Sequence, residues 1–277
     1  MKITRRKFIA SALLAGTGIA YMRYFEPGHF EITEKSIRIN RFSKELRILH
    51  LSDFHVSGSV SLKSIEKAID LSLEQKPDVA FLTGDFITWK LQDISQYRHI
   101  LQKLSSTIPV FACIGNHDGG RWAASSHGYK DISKVRNLLQ SSGVHFLFNE
   151  KIKVEINQQK FVIAGLGDLW AGDLDPKSVL KKKSEKDIPI IVMSHNPDSK
   201  TELKLYDWDI LLCGHTHGGQ LVVPFIGYRP FLPVRDKKFP EGILSWGNQH
   251  IHVTRGIGNL HGLRINCRPE ISLLNVI

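Results

Sequence analysis

Five apolar runs in this chain each end on groups that can bind a metal ion or move a proton. Residues 46–52 run into Asp53-Phe54-His55. Residues 79–83 run into Gly84-Asp85, and 110–114 into Gly115-Asn116-His117-Asp118. Residues 188–193 lead to Ser194-His195-Asn196-Pro197, and 209–213 to Gly214-His215-Thr216-His217. Any one of these segments reads equally well as a turn after a strand. Together they offer three carboxylates, one amide oxygen and five imidazoles. If the strand ends converge, burying so many polar groups without partners is costly, and bound cations are the natural compensation. A mixed nitrogen and oxygen set with no thiolate suits Mn, Fe, Zn or Ni rather than Ca or a structural zinc. Asp-x-His and His-x-His place both side chains on one side of an extended segment. By type, Asp85 is the carboxylate chosen to bridge two cations.

The elements that must position these groups follow from periodicity. Residues 30–45 alternate as an edge strand. Buried strands are expected at 46–52, 79–83, 108–114, 188–193 and 209–213. Helical spacing covers 61–75, 93–105 and 131–142, with Leu62, Ile65, Ala68 and Ile69 on one face of the first. Short strands follow at 144–148, 151–156 and 160–165. The tail holds strand-like runs at 220–223, 242–246, 250–254 and 271–276. Parallel strands need helical crossovers, and right-handed crossovers bring the carboxyl ends to one edge. The order predicts an α/β fold of two mixed β-sheets packed as a sandwich and flanked by helices. No repeat, low-complexity tract or interdomain linker interrupts residues 26–277, which read as one domain.

The bulk properties restrict the partners. The chain has 277 residues, 42% hydrophobic and 23% charged, enough for a full core and unlike a disordered chain. The formal charge is +10, and residues 1–25 supply Lys2, Arg5, Arg6, Lys7 and Arg23 without an acid. The remainder is only mildly basic, so no nucleic-acid partner is expected, whereas anionic substrates and membrane surfaces fit. Thr4-Arg5-Arg6-Lys7-Phe8 followed by an apolar stretch to Ala20 resembles a twin-arginine export signal. The stretch is short for a spanning helix and suits a signal segment or tether. It implies the export machinery as a partner and a periplasmic or outer-face location. The three cysteines, Cys113, Cys213 and Cys267, form no C-x-x-C pair and read as buried hydrophobes.

Taken in order, Asp53-x-His55, Gly84-Asp85, Gly115-Asn116-His117-Asp118, His195 and Gly214-His215-x-His217 resemble the motif series of the calcineurin-like metallophosphoesterases. The resemblance spans residues 46–220. The flanking Ser194-His195-Asn196-Pro197-Asp198, His215 to Gln220 and Asn266 to Glu270 extend it, over essentially the whole chain, to an exported bacterial subgroup. It implies the four-layer fold of that family and two divalent metal ions. It implies that Asp53, His55, Asp85 and His217 hold one ion, and Asp85, Asn116, His195 and His215 the other. His117 would then serve the leaving oxygen or the transition state, oriented by Asp118. The implied reaction is hydrolysis of an anionic phosphoester, first a phosphodiester. The alternative is the pyrophosphate of the lipid-linked UDP-2,3-diacylglucosamine in lipid A assembly. That alternative implies a cytoplasmic face and an intact anchor. A third reading is a non-catalytic scaffold, in which the His of the Asn-His-Asp triplet tends to be lost; His117 is present.

Other residues have blander readings. His50 reads as a core residue or a support for the ligands. Arg121, Trp122 and His127 lie in a loop that could meet substrate. Asp168 and Trp170 fit a turn. Residues 255–268, with three glycines, could form a phosphate-binding edge or a hairpin. His250, His252 and His261 are not expected to bind metal, and the Lys-rich 177–186 run reads as solvated surface.

Overall fold

Strands β1 (Glu31–Ile37), β2 (Leu46–Leu51), β3 (Val79–Thr83), β4 (Val110–Cys113), β5 (His145–Phe146) and β12 (Glu270–Val276) form one sheet, in the order β1-β12-β2-β3-β4-β5. A second sheet has the order β10-β11-β9-β8-β7-β6, from β6 (Glu150–Ile156), β7 (Gln159–Gly165), β8 (Ile190–Met193), β9 (Ile210–Cys213), β10 (Gly242–Trp246) and β11 (Gln249–Val253). These belong to a computed structural model that describes residues 18, 20–181, 188–260 and 262–277. Most of the expected signal segment, and residues 182–186 of the Lys-rich run, lie outside the described residues. Among the described residues no helix is long and apolar enough to cross a membrane.

Both sheets are mixed. β2 to β5 are parallel, while β12 returns antiparallel beside β2 and pairs parallel with β1. In the second sheet β7, β8, β9 and β11 are parallel, edged by antiparallel β6 and β10. The two sheets bury Ile48, Phe81, Phe111, Ile163, Met193 and Leu212 between them. The four central parallel strands are apolar on both faces because a layer covers each side.

Helices α1 (Leu62–Glu74), α2 (Ile94–Ser105), α3 (Arg121–Ser125) and α4 (Ser133–Ser141) follow the first three buried strands. α1 is capped by Ser61, whose side chain accepts from Ser64 N, and α2 by Asp93, which accepts from Gln96 N. α1, α2 and α4 pack Ile65, Ile69, Ile100, Leu104 and Leu138 onto the first sheet. The layer over the second sheet is thin: the short helices α5 (Pro176–Val179) and α6 (Lys200–Leu203) with buried Trp208. The expected tail strand at 220–223 does not form. Only an isolated bridge joins Leu221 to Ile265, because Pro224 and the following turn stop the ladder.

A polar seam crosses the apolar core. His50 Nδ1 lies 2.8 Å from His252 Nδ1, and His50 Nε2 lies 2.9 Å from Thr83 Oγ1, all fully buried. Burial holds His252 down at about 4, opposed by Glu270, and burial with His252 pushes His50 well down. Unfolded histidine takes up its proton near 6.5, whereas folded His252 does so only near 4. The native state is therefore favoured above about pH 6.5 and loses that advantage as the pH falls toward about 4, an effect of about 3 kcal/mol. Denaturant unfolding from about pH 7.5 to about 4.5 should show a shallower loss of stability in His252→Gln than in the wild type. Identical slopes would mean that this seam does not contribute.

Candidate active site

All nine predicted residues meet at the carboxyl ends of β2, β3, β4, β8 and β9, and all nine are buried. After β2, β3 and β9 the backbone is not extended. Asp53, His55, Asp85, His215 and His217 all have positive φ, from 48° to 69°. The expectation of an extended Asp-x-His and His-x-His segment is therefore corrected. Left-handed residues curl the chain after β2, β3 and β9, and after β2 and β9 that curl brings both side chains of the pair to one side. Such conformations cost non-glycine residues about 1–3 kcal/mol each and persist where surrounding structure imposes them. Here crossing loops impose them: Asp53 N donates to Gly84 O at 3.0 Å, and His55 N to Asp85 O at 2.9 Å. A Cβ on Gly115 would meet Asp85 Oδ1 at 2.2 Å, and one on Gly214 would meet Ser52 Oγ at 1.9 Å, so neither position admits a side chain.

The ring nitrogens are assigned by fixed acceptors. His195 Nδ1 faces Thr83 O at 2.6 Å, His117 Nδ1 faces Thr88 O at 2.9 Å, and His215 Nε2 faces Pro233 O at 3.1 Å. A carbonyl only accepts, so each of these nitrogens carries the proton and the opposite nitrogen is turned toward the site. Thr88 Oγ1 donates to His55 O and sits 3.3 Å from His55 Nδ1, which leaves His55 Nε2 facing inward.

Three overlapping groups result: His55, Asp85 and His117 form the middle one, between two clusters that share no residue. Asp53, His55 and His217 form one, with His55 Nε2 3.0 Å from His217 Nε2 and His217 Nε2 3.3 Å from Asp53 Oδ1. Asp85, His195 and His215 form the other, with His195 Nε2 3.1 Å from Asp85 Oδ2 and 3.3 Å from His215 Nδ1. Asp85 Oδ2 also lies 3.3 Å from His55 Nε2, so one oxygen touches both clusters. Asn116 Oδ1 is buried with no hydrogen-bond partner, as is His217 Nδ1.

These groups fit metal ions. Two ligands about 2.1 Å from one cation stand about 3.4 Å apart at a tetrahedral angle, close to the spacings found. A buried amide oxygen without a partner and imidazole nitrogens that face one another are a donor set a cation would join. The same crowding shifts the proton affinities of these groups. Burial opposes charge on His195, but Asp85, Asp53 and Asp168 overcome it and raise its pKa to about 10. Burial lowers His55 to about 4 against the pull of Asp85, and burial with His195 lowers His215 to about 3. Asp53 is raised to about 6 by burial, with His195 opposing. Burial alone would raise Asp85, but His195 and His117 keep it well below the usual carboxylate range.

Asp118 has a different task from the one expected. Its Oδ2 accepts from Gly115 N and Asp85 N, at 2.9 and 2.8 Å, and its Oδ1 from Phe86 N and Ile87 N. It clamps the Gly84–Ile87 turn to the Gly115 turn. Thr88 O, not Asp118, orients the His117 ring.

Several other readings are refined. Asp168 Oδ1 accepts from Trp170 N and Ala171 N, a turn role, while its buried Oδ2 is unpaired. The described residues of 255–268 form no hairpin. Buried Arg264 donates to the carbonyls of Gly258, Arg255 and Cys267, and a Cβ on Gly256 would meet Asp53 Cβ at 2.6 Å. The loop buttresses Asp53 from behind. Arg255 is engaged by Glu31 and lies beside Glu270. His50 supports Thr83, the residue that holds His195. His250 and His252 stand away from both clusters, and His261 lies outside the described residues.

Sequence reading missed Thr83 and Thr88, because a carbonyl that fixes a tautomer leaves no trace in residue type. It placed Trp122 in a loop that could meet substrate, but missed that Trp89 and Trp170 join it in an aromatic rim. Trp122 packs on His117 at 4.4 Å between centroids, Trp170 on His215 at 4.3 Å, and Trp89 stands 6.0 Å from His117. Trp122 and Trp170 are themselves 6.0 Å apart, and Trp89 and Trp170 are exposed. Exposed aromatics beside a buried polar cluster suit a substrate with a flat or apolar part.

Residues 46–219 match the model of the calcineurin-like phosphoesterase family, and the chain belongs to that family. It is a metal-dependent phosphoester hydrolase, and its two mixed sheets with flanking helices are the sandwich of that class. Phosphodiesterase YaeI of Escherichia coli K12 is 39% identical, over 99% of this chain and 100% of that protein. The uncharacterized metallophosphoesterase YkuE of Bacillus subtilis is 31% identical, over 99% and 98%. UDP-2,3-diacylglucosamine pyrophosphatase LpxG of Chlamydia muridarum is 25% identical, over 93% and 92%.

Proposed function

We propose that the protein is an exported dinuclear phosphodiesterase. The observation that carries the dinuclear reading is Asp85 Oδ2, which lies 3.1 Å from His195 and 3.3 Å from His55 and so joins the two clusters. Asp53, His55, Asp85 and His217 would hold one divalent ion; Asp85, Asn116, His195 and His215 the other. Ions held there supply Lewis acidity, acidifying water and neutralising charge on phosphoryl oxygens. The remaining steps belong to the chain. Asp85 Oδ1 accepts from His117 N at 2.9 Å and so ties the His117 loop to the clusters. With Nδ1–H committed to Thr88 O, His117 presents Nε2 to the leaving oxygen; in its doubly protonated form it gives up the Nε2 proton there and is left as the neutral ring, still held by Nδ1–H. The tryptophan rim excludes water from the mouth and orients the substituent on the phosphoryl group. The 39% identity to phosphodiesterase YaeI supports a diester substrate.

The export reading rests on Arg5-Arg6 and the apolar residues after them, and places the domain in the periplasm or on the outer face of the membrane. A lipid-linked pyrophosphate is the second reading, favoured by the likeness to LpxG and by the exposed aromatics beside the site. Protein stripped with chelator should regain hydrolysis of bis(p-nitrophenyl) phosphate, in preference to p-nitrophenyl phosphate, when Mn, Zn or Ni returns. Two bound ions with neither compound cleaved would move the assignment to the lipid-linked pyrophosphate. Protease digestion of the domain in spheroplasts tests the location, since protection would mean a cytoplasmic face.

Trp170→Ala should raise KM for the aryl diester about fivefold with kcat little changed, from the loss of about 1 kcal/mol of stacking. A fall in kcat at unchanged KM would instead assign Trp170 to holding His215.

A further inference from the structure

Four of the five most exposed large apolar side chains among the described residues fall in one seven-residue stretch. They are Phe225 at 107%, Ile226 at 73%, Phe231 at 67% and Tyr228 at 61% exposure. Single exposed hydrophobes need no explanation, but a contiguous group does. The loop that carries them is folded. Val223 N donates to Tyr228 O, and Gly227 N to Val223 O, at 2.9 and 3.0 Å. Arg229 is anchored to Gly218 O and Glu241, and Leu232 and Val234 are buried beneath. The apolar tip is therefore held out into solvent by a built base, and Phe225 adopts φ +67° to reach its position.

We propose that this tip inserts into the surface of an anionic bilayer. Three observations favour a bilayer over a protein partner. First, no acid occurs between residues 218 and 235, and the exposed cations Arg235, Lys237 and Lys238 follow the tip, so the surface suits anionic headgroups. Second, the tip combines Phe, Ile and Tyr, the amphipathic mixture that settles at a membrane interface. Third, the described chain enters beside it. Met22 O accepts from Arg264 N at 3.1 Å, and the neighbouring Ile265 O accepts from Val222 N at 2.9 Å at the loop's root. Exposed Tyr21 and Phe25 stack there, 5.3 Å between centroids. Tyr21 and Met22, through which the apolar sequence bearing Lys2, Arg5, Arg6 and Lys7 is joined to the domain, thus lie on the same face. Pro233 O, at the far end of the loop, faces His215 Nε2 at 3.1 Å, so insertion would set the mouth of the site close to the lipid headgroups.

The test uses the full chain with Phe225→Cys. Cys113, Cys213 and Cys267 are buried, so an environment-sensitive nitrobenzoxadiazole label goes selectively to residue 225. With vesicles of equal parts phosphatidylglycerol and phosphatidylcholine, its emission should shift to the blue and be quenched by lipid carrying an acyl-chain nitroxide. Phe225→Ser with Phe231→Ser should weaken vesicle partitioning at least about tenfold at an unchanged melting midpoint, since two phenyl rings no longer leave water. Vesicle binding in which the label stays in water would mean that the N-terminal segment alone attaches the protein, and would overturn the proposal. A blue shift without vesicles that disappears on dilution would also overturn it, by making the face a contact between two copies.

Discussion

Asp85→Ala is expected to remove metal and turnover together. Asp85 Oδ2 approaches His195 and His55 within 3.3 Å, and Oδ1 accepts from His117 N, so this one carboxylate joins both clusters and the His117 loop. Taking the carboxylate away leaves five buried imidazoles with one fewer anion to offset bound cations. Turnover should fall at least about 10³-fold, the upper end of the cost of deleting one charge-stabilising group. Metal content, measured by atomic emission after gel filtration, should fall with it. A ligand at 100 times its Kd stabilises a protein by about 2.7 kcal/mol, so the rise in melting midpoint on adding Mn should also shrink. A variant that keeps two ions per chain and the full thermal shift would remove Asp85 from the bridging position.

His117→Ala should separate chemistry from binding. The ring hangs from Thr88 O by Nδ1 and packs edge-on to His55, at 4.7 Å and 87°. Its backbone N–H to Asp85 survives the substitution, so the metal sites should keep their shape and ions. Turnover of the diester should fall about 10²–10⁴-fold, the usual contribution of a positioned acid. The loss should be smaller for a diester with a better leaving group, which needs less help from a proton. Equal losses across leaving groups would assign His117 to charge stabilisation alone, and unchanged turnover would end its catalytic role.

The strands and helices were legible because each buried strand is a nearly pure apolar run and each helix carries a single apolar face. Boundaries at β2, β3 and β4 agree with the expected ones to within about two residues, the ordinary fraying of such assignments. The 220–223 segment failed because Leu221, Val222 and Val223 satisfy the strand pattern while the chain turns at Pro224. Asp118 was misread because its sequence neighbour is His117. Its carboxylate reaches instead across to Phe86 and Ile87, 32 and 31 residues earlier.

By itself the sequence determined the chemistry: nine metal- and proton-binding groups, each at the end of an apolar run, in an order that fixes the family. Residue type decides what a group can ligate, and periodicity decides which strand delivers it. The tertiary structure alone decided how each group is presented. Thr83, Thr88 and Pro233 choose the ring nitrogens through carbonyls that every residue has, and Asp118 gives both side-chain oxygens to backbone amides. The left-handed turns that aim Asp53, His55, Asp85, His215 and His217 exist only because neighbouring loops press on them. Those interactions join backbone atoms far apart in the chain, and no side-chain pattern encodes them.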